Sequence, residues 1–158
     1  MESREVVLRK AGDGNGYYER CGAEAGVPGL SQIFAMLSED EQRHAEALRA
    51  QQNGARVELA QSTMLDGARF ILRNLSLRCG ALSQFNGNLA TYLRAMDFEA
   101  ASVRLYGQLA QEAEHLWERE LFRKIAAEDE MHFTLLEHMR ELLEPAAGAD
   151  ADGVTDAH

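Results

Sequence analysis

The sequence has few of the residues that build disulfide frameworks, β-strands or cysteine-ligated metal sites. Its two cysteines, Cys21 and Cys79, form no C-x-x-C pair, which excludes a disulfide framework and a cysteine-ligated zinc or iron site. Two prolines and scarce Val and Ile, beside abundant Ala, Leu, Glu and Arg, favour helix over strand. The 158 residues, 46% of them hydrophobic, suffice for one core in one domain.

Basic charge and long apolar runs are also scarce. The formal net charge of -10 argues against nucleic acid or an anionic membrane as a partner, because both attract basic surfaces, and it favours cations. No run approaches the roughly 18 apolar residues of a membrane span. The N-terminal stretch MESREVVLRK lacks the apolar segment of a signal peptide. Together these absences predict a cytoplasmic protein.

Helical periodicity predicts four long helices, at residues 4–25, 29–53, 87–113 and 116–144. Pro28 suits the start of the second helix, and Pro145 suits the end of the fourth. More than thirty residues separate the second helix from the third, and a capping pattern at residues 63–66 predicts a short helix between them. We therefore predict an all-α fold: a four-helix bundle of two hairpins joined by a long crossover, over residues 1–145, followed by a disordered acidic tail over residues 146–158.

The two predicted hairpins are related by an internal repeat. Shifting the sequence by 88 residues superimposes them without a gap, and the matched pairs include Tyr18 with Tyr106, Phe34 with Phe122, Glu41 with Asp129 and His44 with His132. Chance supplies one or two such matches in a chain rich in Ala, Leu and Glu, but hardly a Tyr, a Phe and a His in one register. The acidic stretches SEDEQRH at 38–44 and AEDEMHF at 127–133 are therefore one element used twice.

Polar residues interrupt the apolar stripes of three helices, in which core positions recur every three or four residues. The interrupting residues are Glu41, His44, Glu99, Asp129 and His132. Buried carboxylates without partners cost several kcal/mol each, and Arg and Lys are absent from the stripes at this level, so a bound cation is the simplest compensation. Residues three apart share one helix face, so each carboxylate and histidine pair offers an oxygen and a nitrogen to one ion. Such mixed ligands suit iron or manganese, and zinc remains possible.

With these motifs the chain resembles the rubrerythrin-like members of the ferritin-like superfamily, over about residues 5–144. The likeness rests on the stretches DGNGYYERCGAEAG, IFAMLSEDEQRHAEAL, MDFEAASVRLYGQLAQEAE and LFRKIAAEDEMHFTLLEHM, and on the crossover STMLDGARFIL. It implies a di-iron centre with two ions per chain, which reduces peroxide, activates oxygen or handles iron, with electrons from an external donor. It also implies a homodimer.

The resemblance assigns a role to each matching residue. It implies that Glu41 and Asp129 are bridging carboxylates and that His44 and His132 are terminal nitrogen ligands. It also implies that Glu99 is a terminal carboxylate ligand and that Tyr18 and Tyr106 lie close to the metals. Three departures matter: Ala11 stands where the family expects Glu, Asp129 is one methylene shorter than the expected Glu, and the cysteines of a rubredoxin domain are absent. Three carboxylates leave one unit of positive charge on two ferrous ions. A hydroxide, a water or an exogenous anion could fill the place of the missing ligand, unless only one metal binds.

The sequence leaves several alternatives open. Asp13 or Glu5 could replace the ligand missing at Ala11, and Glu128 is the neighbour of Asp129, although it is expected to point elsewhere. Three functions compete: an oxidoreductase acting on peroxide or oxygen, a metal-binding or iron-handling bundle without turnover, and a helical interaction module that binds no metal.

Overall fold

A computed structural model describes residues 2–26, 28–77 and 89–156, with side chains at residues 9–10, 12–26, 28–75 and 90–142. These residues form five α-helices: α1 (Glu2–Glu24), α2 (Pro28–Gln52), α3 (Met64–Leu77), α4 (Leu89–Glu112) and α5 (Leu116–Asp156). No strand occurs within the described ranges, so the prediction of an all-α chain is confirmed. None of the described helices combines the length and the apolarity that crossing a membrane requires.

Glycines with positive φ follow the first two helices. Gly26 has a φ of 73° after α1, and Gly54 has a φ of 91° after α2, a conformation that costs glycine little because it lacks a Cβ atom. After α2, the Ala55 amide donates to the Ala50 carbonyl at 3.0 Å, the long bond of a Schellman cap. The glycines therefore end the helices and turn the chain toward the next element.

The helices pack as two hairpins. Helix α1 lies along α2, and α4 lies along α5, while α3 rests on α2 and α5. Smaller contacts between α1 and α4, and between α2 and α5, join the hairpins. The predicted order of hairpin, intervening helix and hairpin is therefore present, whereas the assignment to the ferritin-like fold stays a prediction.

Buried apolar side chains form two clusters with a polar layer between them. Along α2, residues 30–37 belong to the first cluster and residues 45–48 to the second. Along α5 the order is reversed, with residues 121–125 in the second cluster and residues 135–139 in the first. Helices α2 and α5 therefore run antiparallel, and the polar stretch between the clusters lies at the same level in both.

The predicted helix bounds differ from the structure chiefly at the C-terminus. The fourth predicted helix ends at residue 144, before Pro145, whereas α5 continues to Asp156. A proline removes one backbone hydrogen bond and can bend a helix without ending it, and the alanines after Pro145 favour helix. The tail predicted to be disordered over residues 146–158 is thus helical as far as Asp156, and residues 157–158 lie outside the described part. Residues 87–88, at the predicted start of the third helix, also lie outside the described part.

Candidate metal centre

Helices α2, α4 and α5 bring the five predicted ligand residues into one buried layer. Donor atoms of four of them lie within 4.8 Å of one another, namely Glu41, Glu99, Asp129 and His132. The Nδ1 atom of His44 lies 3.5 Å from Asp129 Oδ1 and 3.8 Å from Glu41 Oε2. None of the five residues is more than 2% exposed. The predicted convergence is therefore present, and metal ligation by these residues stays a prediction.

The inner atoms of this layer lack hydrogen bonds. Within the part of the chain that the structure describes, six such atoms are buried and unpaired: Glu41 Oε1, Glu99 Oε2, Asp129 Oδ1 and Oδ2, His44 Nδ1 and His132 Nδ1. His132 Nδ1 lies 3.4 Å from Glu41 Oε1, 3.5 Å from Glu99 Oε2 and 3.6 Å from Asp129 Oδ1. A buried polar atom without a partner costs about 1–3 kcal/mol. Carboxylate oxygens and imidazole nitrogens are metal donors, so the donor set fits a multivalent cation.

Carboxylates from the facing helix bind the outer nitrogens of both histidines. His44 Nε2 lies 2.8 Å from Glu128 Oε1, and His132 Nε2 lies 2.8 Å from Asp40 Oδ2. When Nε2–H donates to a carboxylate, the neutral ring carries its free lone pair on Nδ1, which here faces the polar layer. Both imidazoles are therefore held in an orientation in which Nδ1 can bind a metal once it has lost its proton.

Asp40 and Glu128 were missed as functional residues by the sequence analysis. Both are only 5% exposed. Glu128 lies outside the cluster of inner donor atoms, as expected, but its carboxylate binds the outer nitrogen of His44. A signal was present in the sequence: the 88-residue repeat matches Asp40 with Glu128, each directly before a carboxylate of the polar layer. Each of the two crosses to the histidine of the opposite helix, so the repeat extends to the second layer of contacts.

Two residues bind these outer carboxylates: Arg43 of α2, and Ser62 of the segment before α3. Arg43 Nη1 lies 2.9 Å from Asp40 Oδ1 and 3.2 Å from Glu128 Oε1. The Ser62 hydroxyl donates to Asp40 Oδ2 at 2.6 Å, and the Ser62 amide donates to Glu128 Oε2 at 3.2 Å. The outer carboxylates are therefore well partnered, in contrast to the inner ones.

The two predicted tyrosines lie in the core beside the polar layer. The Tyr18 hydroxyl donates to Glu99 Oε1 at 2.7 Å, which leaves Oε2 of the same carboxylate facing the layer. Tyr106 is 2% exposed and stacks on Phe122 with ring centroids 6.3 Å apart. In the repeat, the partner of Tyr106 corresponding to Glu99 would stand at position 11, which is an alanine. Only Tyr18 is therefore seen to orient a carboxylate of the layer.

Burial and mutual proximity shift the pKa values of the layer in opposite directions. Burial, then the charge of Glu41, raises the pKa of Glu99 to about 7. Burial opposes the charged imidazole, yet the carboxylates of Glu128, which is hydrogen-bonded to Nε2, and of Glu41, 3.8 Å from Nδ1, raise the pKa of His44 to about 9. Burial likewise opposes charge on Glu41, but the proximity of the two histidines lowers its pKa. Near neutral pH the metal-free layer therefore holds protons on its imidazoles that a metal must displace.

Among the side chains of α1 that the structure describes, none joins the donor cluster in place of the ligand missing at position 11. Asp13, one candidate replacement, is exposed, and the side chains of Glu5 and Ala11 lie outside the described ones. At Gly14 a Cβ atom would lie 2.7 Å from Phe98 Cζ, so this glycine admits the aromatic ring between α1 and α4. The Phe98 ring therefore packs against α1 at Gly14, and Glu41 Cγ would lie 3.5 Å from the same Cβ position.

No protein-family model, curated protein or solved structure matches this chain. The site is therefore interpreted from its own geometry, and the rubrerythrin-like resemblance rests on the sequence motifs alone. The homodimer and the cytoplasmic location stay predictions.

Proposed function

We propose that the protein is a rubrerythrin-like metalloprotein, an oxidoreductase whose buried centre holds iron and reacts with peroxide or oxygen. The observation that carries the proposal is a set of six buried donor atoms in one layer which, among the residues that the structure describes, make no hydrogen bond. Two of these atoms belong to imidazoles whose outer nitrogens are fixed by carboxylates. A layer built only for stability would pair its polar atoms internally, because each unpaired atom destabilises the fold.

The donor types favour iron or manganese over other metals. Three carboxylates and two imidazoles supply hard oxygen donors and borderline nitrogen donors, and no thiolate is in the set. Zinc accepts the same donors and is the alternative ion. Zinc has no redox chemistry, whereas ferrous iron is readily oxidised by peroxide and oxygen, which is why we place iron first.

The residues of this chain have separable tasks in such a centre. Glu41, Glu99 and Asp129 supply the negative charge that holds the cations. The Tyr18 hydroxyl fixes the orientation of Glu99, and apolar clusters on both sides keep bulk water out. Electrons come from an external donor in this proposal, because the sequence has no cysteine set for a second redox centre.

A second candidate function is metal binding without turnover, at a site for one ion. Two donors each about 2.1 Å from one ion lie about 3.0–4.2 Å apart. The measured separations from His132 Nδ1 to the three carboxylates, 3.4–3.6 Å, fall in that range. The alanine at position 11 also favours a site for one ion, because the predicted ligands include three carboxylates, whereas two ferrous ions need four for neutrality.

Anaerobic loading with ferrous iron followed by peroxide tests both candidates. The oxidoreductase predicts about two irons per chain and a rapid change in near-ultraviolet absorbance when peroxide is added. One iron per chain with no rapid oxidation supports the second candidate. Glu41→Gln should lose iron, whereas Glu39→Gln, which alters an exposed residue of the same helix, should retain it. Iron binding equal in all three proteins would refute both proposals.

A further inference from the structure

Arg43 breaks the symmetry of the repeat at the centre's outer layer. The repeat duplicates the outer carboxylates as Asp40 and Glu128, but at the position matching Arg43 the second hairpin has Met131. One guanidinium therefore serves two carboxylates, each of which holds a different imidazole. Loss of this one side chain would affect both histidines together.

The geometry places Arg43 at the point where α2, α5 and the segment before α3 meet. Its Nη1 atom lies 2.9 Å from Asp40 and 3.2 Å from Glu128, and its Nη2 atom donates to the Ala60 carbonyl. Ser62, two residues later, donates to the same two carboxylates. The arginine side chain is 32% exposed, whereas the carboxylates it binds are 6–7% exposed. The positive charge thus covers the outer side of two nearly buried negative charges.

The charge of Arg43 also bears on the orientation of the rings. Two carboxylates that share one guanidinium nitrogen are close neighbours and repel each other in a medium of low dielectric constant. With the guanidinium removed, Ser62 would be the one remaining partner, among the described residues, that bonds to both carboxylates. A carboxylate that moves away releases the Nε2–H of its histidine, and Nδ1 then loses its fixed direction toward the polar layer.

We infer that Arg43 is a positioning residue of the metal centre, which sets the direction of both His44 and His132 through Asp40 and Glu128. This inference rests on the proposed metal binding. Arg43 is not a ligand, because its guanidinium keeps its charge and has no lone pair to offer. The segment between α2 and α3 contacts Arg43 through Ala60 and both outer carboxylates through Ser62. It therefore helps to position a centre whose five proposed ligands lie on α2, α4 and α5.

Binding of Co²⁺ to the full-length protein tests the inference, because the visible spectrum of the bound ion reports its coordination and a chelator competition gives its affinity. Arg43→Met, which installs the residue of the second hairpin, should weaken Co²⁺ binding about 10- to 100-fold and change the spectrum. Arg43→Lys restores the charge and should recover part of the affinity. Arg49→Met, at an exposed arginine of the same helix, is the matched control and should bind as the wild type does.

The possible results separate this inference from the proposed function. Wild-type affinity and an unchanged spectrum in Arg43→Met would overturn the inference alone. Equal weakening in Arg43→Met and Arg43→Lys, with the wild-type spectrum kept in both, would also overturn it, because the charge would then have no effect on ring orientation. A wild-type protein that binds no Co²⁺ would overturn the metal proposal and the inference together. Arg43→Gln repeats the measurement should Arg43→Met fail to fold.

Discussion

Glu99→Gln should stabilise the metal-free protein while it weakens metal binding. Glu99 is fully buried, accepts a hydrogen bond from Tyr18 and lies beside the charge of Glu41. Its pKa is raised from an ordinary value of 4.5 to about 7, so its contribution to stability is complete below pH 4.5 and is lost as the pH rises through 7. At pH 8 the ionised carboxylate therefore destabilises the folded protein, whereas a glutamine at this position still accepts the hydrogen bond from Tyr18 and carries no charge.

The magnitude follows from the size of that pKa change. A shift of this size corresponds to about 3 kcal/mol, of which we expect about 1–3 kcal/mol to be recovered in Glu99→Gln at pH 8. For a chain of this length each kcal/mol raises the melting temperature by about 2–4 °C, so the expected rise is about 2–12 °C. At pH 4.5, where Glu99 is already largely protonated, the variant should gain little.

Thermal unfolding in the presence of a chelator, at pH 4.5 and at pH 8, measures this effect. Asp97→Asn, at an exposed acid of the same helix, is the control and should change the melting temperature by little at either pH. Ferrous or cobalt titration of the same proteins should show weaker binding only in Glu99→Gln. A Glu99→Gln protein that is less stable than the wild type at pH 8 and binds metal equally well would refute the assignment, since Glu99 would then serve structure and not a cation.

Three further outcomes follow from the same structure. With a chelator present, the melting temperature of the wild type should fall as the pH rises from 5 to 9. The stability that Glu99 contributes is lost as the pH rises through about 7, and the stability that His44 contributes, complete below pH 6.5, is lost as the pH rises through about 9. Melting temperatures that stay constant or rise across this range would contradict the prediction. Urea unfolding should show Gly12→Ala stabilised by up to about 1 kcal/mol, since among the described residues no atom beyond its chain neighbours and its own helical backbone lies within 4 Å of the new methyl. Gly14→Ala should gain nothing or lose stability, since its methyl would lie 2.7 Å from a phenylalanine ring carbon; equal gains in both variants would disprove that close approach. Ala11→Glu should raise the iron content per chain and the rate of ferrous oxidation, measured by metal analysis and near-ultraviolet absorbance, and unchanged values would show that the missing carboxylate does not limit the centre.

The helical pattern made the buried layer predictable from sequence. The four-and-three spacing places Glu41 and His44 among core positions of α2, and the repeat assigns the same status to Asp129 and His132. The structure buries all four, together with Glu99. Periodicity is informative here because a helix face is fixed by residue spacing alone, whatever the neighbouring helices do.

Features that depend on the distance between helices could not be predicted from the sequence. Asp40 lies beside the core stripe, and its contact with His132 depends on how closely α2 approaches α5. Gly14 reads as a poor helix residue in the sequence, and its use becomes visible only from the position of the Phe98 ring. The continuation of α5 through Pro145 was also missed, because a proline can bend a helix without ending it.

Anomalous X-ray scattering at the iron edge, from crystals of the iron-loaded protein, tests the central claim most directly because it gives the identity, number and ligands of the metal together. We predict an anomalous peak within the layer of Glu41, Glu99 and Asp129, with Nδ1 of His44 and His132 directed at it. Crystals grown with excess iron that show no peak there, with these five side chains held together only by hydrogen bonds, would contradict the account.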